Sequence, residues 1–239
     1  MMTAMARQSA QSSNESVRLR PDVSTNVEKL GGNSTTDAAA RAGWEAYQRG
    51  DLESARKSLA VAAANPDVEA WVHYALGQSE YALRQFQDAA RSWETVRGRA
   101  PDFEPVYFDL VDAYLQLKEH VVAIRVLQSA VQRWPDDSEL FNALGVVQTA
   151  RGALDDAVKS FQQAIDKAPE DGIGYFNLAK VLELRYNRSR RYVQQTRTWV
   201  ASSADHDGAI ENYKRYLQIG GPFADAAREG LTRLEWTPK

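Results

Sequence analysis

The chain has 239 residues, a net charge of −3 and no cysteine. The absence of cysteine excludes disulfides, zinc–thiolate sites, iron–sulfur clusters and cysteine nucleophiles. Because the net charge is negative, any binding function that depends on basic residues must come from a local cluster of them. No apolar run is long enough to span a bilayer and the first residues lack the apolar core of a secretory signal. A cytoplasmic location is therefore the default expectation, and a membrane-associated or periplasmic position through a partner stays open.

The N-terminal segment, residues 1–35, is rich in Ser, Thr, Asn and Gln and poor in large apolar side chains. A segment of this kind buries too little surface to offset the entropy lost on ordering, which predicts a disordered tail. A short binding motif within the tail is the alternative.

From residue 36 onward the chain repeats at a constant interval. The alanines that mark the period are Ala55, Ala89, Ala123, Ala157 and Ala209. Their first three intervals are equal, and the last is longer by about half a period, which indicates an insertion. The pattern predicts five units, near 36–69, 70–103, 104–137, 138–171 and 172–222.

Unit four, residues 138–171, shows most clearly what one period contains. Two apolar stripes at helical spacing are separated by Gly152 and closed by Pro169, which predicts two antiparallel helices. Small residues at Gly145 and Ala157 allow the paired helices to cross closely, and Phe161 fills the space beside that contact.

The columns of this period resemble the tetratricopeptide repeat (TPR) family. Unit four carries the residues of the family pattern at Phe141, Leu144, Gly145, Ala157, Phe161, Ala164 and Pro169. The resemblance implies an all-α fold, an α-solenoid of about five helix pairs, and a protein partner. An apolar stripe over residues 223–236 predicts a helix that caps the open end of the solenoid, so eleven helices are expected.

The insertion, near residues 187–207, falls between the two helices of unit five. Its apolar residues keep a spacing of four or seven, which predicts that the first helix continues from Ile173 to about Ser202 as a helix of roughly 25–30 residues. A loop over 202–207 would then return the chain, with Asp205 or Asp207 as the cap of the next helix.

The insertion also carries the arginines and aromatics that we select as partner-binding residues: Arg185, Arg188, Arg190, Arg191, Tyr192, Arg197 and Trp199. Arginine beside aromatic residues is typical of protein interfaces and also of RNA contacts. A protein partner, a plain solvated or folded-back helix, and a nucleic acid or anionic surface bound through residues 185–200 are the three alternatives. The net negative charge argues against the last.

A second candidate surface follows from the family resemblance, which implies that the first helix of each pair lines a concave groove. The groove residues would be Trp44, Tyr47, Trp71, Tyr74, Tyr81, Phe108, Asp112, Asn142 and Lys180. Aromatic anchors of this kind suit a peptide. The alternative is that several of them pack between neighbouring units.

No motif for catalysis, a cofactor or a metal is evident in the sequence. The three histidines belong to different units, and a possible calcium loop at 203–214 lacks its acidic first and last ligands. The sequence therefore predicts a non-enzymatic scaffold or adaptor that binds a protein, with assembly or stabilisation of a larger complex as one role. The oligomeric state stays open.

Overall fold

The computed structural model describes Val27, Lys29 and residues 38–235. These residues contain eleven helices and one two-stranded sheet, and eleven helices are the number expected for five pairs and one further helix. The chain divides into two compact units, the first ending at Ala130 and the second beginning at Val131. None of the described helices is both long and apolar enough to cross a lipid bilayer.

The first unit is built from consecutive helices that pack in sequence order. They are α1 (Ala38–Gln48), α2 (Leu52–Ala63), α3 (Ala70–Ala82), α4 (Phe86–Arg99), α5 (Pro105–Gln116) and α6 (His120–Arg133), the last of which runs past the boundary. Helices α1 and α2 form one pair and α3 and α4 the next, and α2 packs on α3 as α4 does on α5.

The second unit contains the remaining helices and the sheet. Its elements are α7 (Ser138–Arg151), α8 (Leu154–Lys167), α9 (Gly172–Ser189), β1 (Arg191–Val193), β2 (Thr198–Val200), α10 (Ser203–Ile219) and α11 (Ala224–Glu235). Helix α9 lies at the centre, because it contacts α8, α10 and α11.

The turns between paired helices share one backbone conformation. Gly50, Arg84, Lys118 and Gly152 follow one another at intervals of one repeat period, and all four have a positive φ, between 61° and 87°. A left-handed residue at this place lets the chain reverse after a helix. Glycine adopts it without strain in the first and fourth pairs, whereas Arg84 and Lys118 carry a side chain there.

Close contact between paired helices depends on the small residues of the repeat. A Cβ added to Gly145 would lie 2.6 Å from the Phe161 ring, and one added to Gly77 would lie 2.4 Å from the Trp93 ring. The large ring therefore occupies the space that the glycine leaves open, as predicted for Phe161.

The insertion departs from its predicted structure. Helix α9 is longer than the helices before it, but it ends at Ser189, so the prediction of a helix reaching Ser202 is wrong. The chain instead forms an antiparallel hairpin, in which Arg191 lies opposite Val200 and Val193 opposite Thr198. The physical reason is local: the hairpin is rich in β-branched and aromatic residues, which favour strands.

The return into α10 also differs from the prediction. Residues 203–207 are helical rather than a loop, and Ser202, not Asp205 or Asp207, is the cap. The Ser202 hydroxyl accepts a hydrogen bond of 3.3 Å from the Asp205 N–H. The Asp205 carboxylate is thereby left available for a different contact.

The predicted end segments lie mostly beyond what the structure describes. Of the tail predicted to be disordered, Val27 and Lys29 are described; both are helical and Val27 is only 1% exposed, and disorder of the tail stays a prediction. The other residues of 1–35 lie outside the described residues. Helix α11 lies within the predicted capping segment, whose last residue, Trp236, is also outside them.

Candidate functional site

Three of the predicted groove residues belong to the core of the first unit. Trp71, Tyr74 and Phe108 are buried, so their side chains offer no surface to a partner as they stand. The Tyr74 hydroxyl donates a hydrogen bond of 2.7 Å to Asp109, and its ring meets that of Phe103 edge-on. The physical reason is that α3 and α5 approach closely enough to share these side chains.

The other aromatic groove residues of this unit are half-buried. The Trp44 and Tyr47 rings stack at 5.6 Å, and Trp44 also meets Trp71 edge-on. The Tyr81 hydroxyl donates to the buried Asp112 at 2.7 Å. Two carboxylates of α5, Asp109 and Asp112, therefore hold tyrosines of α3.

Two further groove residues lie in the second unit. Asn142 is buried, and Lys180 is half-buried with its ammonium 5.4 Å from the centre of the Phe176 ring. Burial lowers the pKa of Lys180, against the opposing effect of Glu183. Because none of the nine predicted residues is fully exposed, the groove stays a prediction that rests mainly on Trp44, Tyr47 and Tyr81.

The hairpin, residues 191–200, carries the most exposed aromatic pair among the described residues. Tyr192 and Trp199 lie opposite each other on β1 and β2, and their rings meet at 5.7 Å. Tyr192 is 49% exposed and Trp199 57%. The Arg190 guanidinium lies 5.4 Å from the centre of the Trp199 ring, where a cation is attracted to the ring face. The structure thus brings three predicted insertion residues together on one face of the hairpin.

The other predicted arginines take different positions. Arg191 and Arg197 are exposed on the hairpin, and Arg188 is exposed near the end of α9, with its guanidinium beside Gly152. No Asp or Glu occurs from residue 185 to residue 204. The hairpin surface is therefore locally positive although the whole chain is negative.

Arg185 is a structural residue at the base of the hairpin. It forms a two-point ion pair with Asp205, through Nε at 2.9 Å and through a second, shorter contact, and its third nitrogen donates to Asp155 at 2.8 Å. The hydrogen bonds to Asp205 raise the pKa of Arg185. Its charge is therefore already balanced within the second unit, and its role in partner binding stays a prediction.

Further contacts fix the same base. The Ser189 hydroxyl accepts a hydrogen bond of 3.0 Å from the Ser202 N–H, which joins the two chain ends of the insertion. The Tyr186 and His206 rings meet at 5.0 Å, and both side chains are buried. The hairpin is thus attached to a well-packed base.

Sequence reasoning missed Asp155, Asp205 and His206 as parts of this base. Asp205 and His206 follow the insertion directly, at the start of α10, and an acid in the first turn of a helix is commonly explained by the helix dipole. A signal in the sequence could have found the base. Asp205 is the first acid after the arginine-rich segment that begins at Arg185, so a pair between the two could have been expected.

The second unit also contains an open cleft of about 730 Å³ between α8, α9 and α10. Its walls include Ile165, Ile210 and Tyr175, and the Arg215 guanidinium lies 5.8 Å from the Tyr175 ring. Carboxylates and cations both contribute to the lining, so the cleft favours no ligand class. Within the described part of the chain, no group of three or more acidic or histidine side chains is placed to hold a metal ion.

The fold is similar to that of solved repeat proteins. A structure described as MamA from Desulfovibrio magneticus RS-1 is 19% identical, with a TM-score of 0.59, over 77% of this chain and 97% of that one. YrrB, described as a TPR protein with an unusual peptide-binding site, is 15% identical, with a TM-score of 0.61, over 88% of this chain and all of that one. No curated protein matches the sequence.

A family model described as tetratricopeptide repeat matches residues 74–138 and 108–172. The matched segments run from the middle of α3 to the start of α9, and they include the pairs in which Trp93 and Phe161 pack against glycines. This match and the eleven helices confirm the predicted all-α fold class. The chain therefore carries tetratricopeptide repeats over residues 74–172 and has the fold of a tetratricopeptide repeat protein.

Proposed function

We propose that this chain is a non-enzymatic scaffold that binds a protein partner and uses the hairpin as its main contact surface. The observation that carries the proposal is the half-exposed pair of Tyr192 and Trp199 on a hairpin whose base is fixed by Arg185 and Asp205. Exposed aromatics with neighbouring arginines are the side chains most enriched at energetically important points of protein interfaces.

A fixed base favours binding, because a surface that is already ordered loses less conformational entropy when a partner docks. The hairpin has only three residues in each strand, and such a small sheet is marginal by itself. The contacts between α9 and α10 at its base hold its two ends together.

The similarity to solved structures is consistent with this proposal at a general level. YrrB is described as having an unusual peptide-binding site, and the fold is used widely for holding other proteins. Fold alone does not select a partner, so the hairpin rather than the repeat carries the argument. Assembly or stabilisation of a larger complex is the proposed role.

A second candidate function is binding of nucleic acid or an anionic surface. It is favoured by the absence of acids from residue 185 to residue 204, and by two aromatic rings on which bases could stack. This function predicts binding that weakens steeply as salt is raised.

The test is comparative capture with the full chain from the cells that produce it. The double variant Tyr192→Ala with Trp199→Ala removes the hairpin rings, and the matched control Val61→Ala with Val121→Ala changes two exposed side chains of the first unit. Proteins that bind the wild type and the control but not the hairpin variant are the expected result. Identical sets of proteins for all three would contradict the proposal, as would recovery of nucleic acid alone.

A further inference from the structure

The two strands of the hairpin have open outer edges within the described residues. In the part of the chain that the structure describes, the sheet contains β1 and β2 and no third strand. In an antiparallel pair, alternate residues of each strand direct their N–H and C=O groups away from the partner strand. An exposed edge of this kind is complementary to the backbone of another extended chain.

The charged side chains near these edges indicate which charge a bound segment would carry. Arg191 and Arg197 are exposed on the hairpin and Arg188 is exposed just before it. The nearest acids in sequence, Glu183 and Asp205, are already engaged, with Arg233 and Arg185 respectively. The cations of the hairpin therefore favour a segment that carries carboxylates.

The exposed apolar side chains of the hairpin indicate that the bound segment carries apolar residues as well as charges. Val200 is 43% exposed on the face opposite Tyr192 and Trp199. Both faces of the small sheet thus present apolar surface to solvent, and a bound segment with alternating side chains would cover both.

We infer that the partner contributes an acidic, extended segment, which adds as a third strand to an edge of the hairpin. This inference rests on the proposed function and specifies the chemistry of the partner. Carboxylates of the segment meet Arg191 and Arg197, and its apolar residues lie beside the exposed rings. A nucleic acid would satisfy the arginines and the rings, but a phosphate backbone carries no N–H groups to pair with the strand edge.

The experiment begins with selection of short random peptides on the immobilised full chain, followed by affinity measurement for the selected peptides. The variant Arg191→Gln with Arg197→Gln removes two exposed cations of the hairpin. The variant Arg49→Gln with Arg125→Gln is the matched control, since both arginines are exposed and belong to the first unit, outside the hairpin. Circular dichroism checks that all variants fold alike.

The expected peptides are acidic with alternating apolar residues, and they bind the hairpin variant at least about tenfold more weakly than the control variant. N-methylation of single peptide bonds then tests strand addition. Only every second residue of the bound peptide would form backbone hydrogen bonds with the strand edge. N-methylation at those alternate positions should therefore lower the affinity by about fivefold, and at the positions between them it should leave the affinity unchanged.

The outcomes separate this inference from the proposed function. Peptides that require Tyr192 and Trp199 but show no acidic bias, or no alternation under N-methylation, overturn the inference and leave the scaffold function standing. Peptides that bind equally after removal of the hairpin rings overturn the hairpin as the site. Selection of no peptide, together with tight binding of a labelled single-stranded oligonucleotide, overturns both.

Discussion

Arg185 and Asp205 connect the two sides of the inserted hairpin through a two-point ion pair. Arg185 lies in the last turns of α9 and Asp205 in the first turn of α10, and the Asp205 side chain is only 6% exposed. The pair therefore fixes the place where the hairpin leaves the helical body.

The first prediction concerns this pair. Substitution Arg185→Gln should lower the free energy of unfolding by about 2–3 kcal/mol, because it leaves the buried Asp205 carboxylate without its cation. Chemical denaturation followed by tryptophan fluorescence measures the change. The control is Arg228→Gln, whose partner Asp225 is almost fully exposed, and which should cost less than about 0.5 kcal/mol. Equal effects of the two substitutions would show that the Arg185 pair is no stronger than a surface pair.

The second prediction concerns helix contact within a pair. Substitution Gly145→Ala should destabilise the chain by about 2 kcal/mol, because the new methyl group would lie 2.6 Å from the Phe161 ring. Gly98 is an exposed helical glycine with nothing within 4 Å of an added Cβ, so Gly98→Ala should stabilise by about 0.5–1 kcal/mol. Thermal unfolding of both variants gives the two signs, and a stable Gly145→Ala variant would contradict the close crossing of α7 and α8.

The third prediction concerns the repeated turn. Lys118 has a φ of 61°, a conformation that costs an L-residue about 1 kcal/mol. Substitution Lys118→Gly should therefore stabilise the chain by about 0.5–1 kcal/mol, although the same change inside a helix would destabilise. Gly152→Ala is the reverse experiment at the equivalent place in the fourth pair, and it should destabilise by a similar amount. Denaturant midpoints that move in the same direction for both variants would be inconsistent with this account.

The fourth prediction concerns a buried carboxyl group. Glu80 accepts a hydrogen bond of 2.7 Å from Ser92, and Gln148 accepts one of the same length from Ser160 at the equivalent place two periods later. Burial raises the pKa of Glu80 above its ordinary value of 4.5. Substitution Glu80→Gln keeps the acceptor and removes the charge, so it should stabilise the chain by about 1 kcal/mol at neutral pH.

The sign of the pH dependence follows from the raised pKa. A carboxyl group whose pKa is raised in the folded state contributes most when protonated, below the unfolded value, and this contribution is lost as the pH rises through the folded value. The stability difference between Glu80→Gln and the wild type should therefore grow from about pH 5 to about pH 7. Urea denaturation at both pH values measures it. A difference that is constant with pH would assign the effect to packing instead of charge.

The helix pairs could be predicted from the sequence because their cause is local and periodic. The contact between Gly145 and Phe161 repeats as Gly77 and Trp93, and the turn at Gly152 repeats at Gly50. The hairpin could not be predicted with the same rule. Tyr186, Val193 and Val200 are evenly spaced at two helical turns, as in the apolar stripe of one long helix. The same spacing is found in the structure, where Tyr186 lies in α9, Val193 in β1 and Val200 in β2.

The sequence left open whether the groove aromatics pack inside the array, and it could not show which of them would be buried. The buried Tyr74 hydroxyl donates a hydrogen bond to Asp109, which lies on a later helix of the same unit. A pattern within one helix does not reveal which side chain of a later helix will lie opposite. Arg185 shows the same limit, since its partners Asp205 and Asp155 belong to two other helices.

The hydrogen bond from the Ser202 N–H to the Ser189 hydroxyl has a consequence for how this protein can change. The chain leaves and re-enters the helical body at adjacent points, so segments of different lengths can join the same two ends. The base is the constant part of this region, and the hairpin is the part that can be replaced. New binding specificities could therefore be grafted at residues 190–201 by design, or acquired there by mutation, without any change to the repeats.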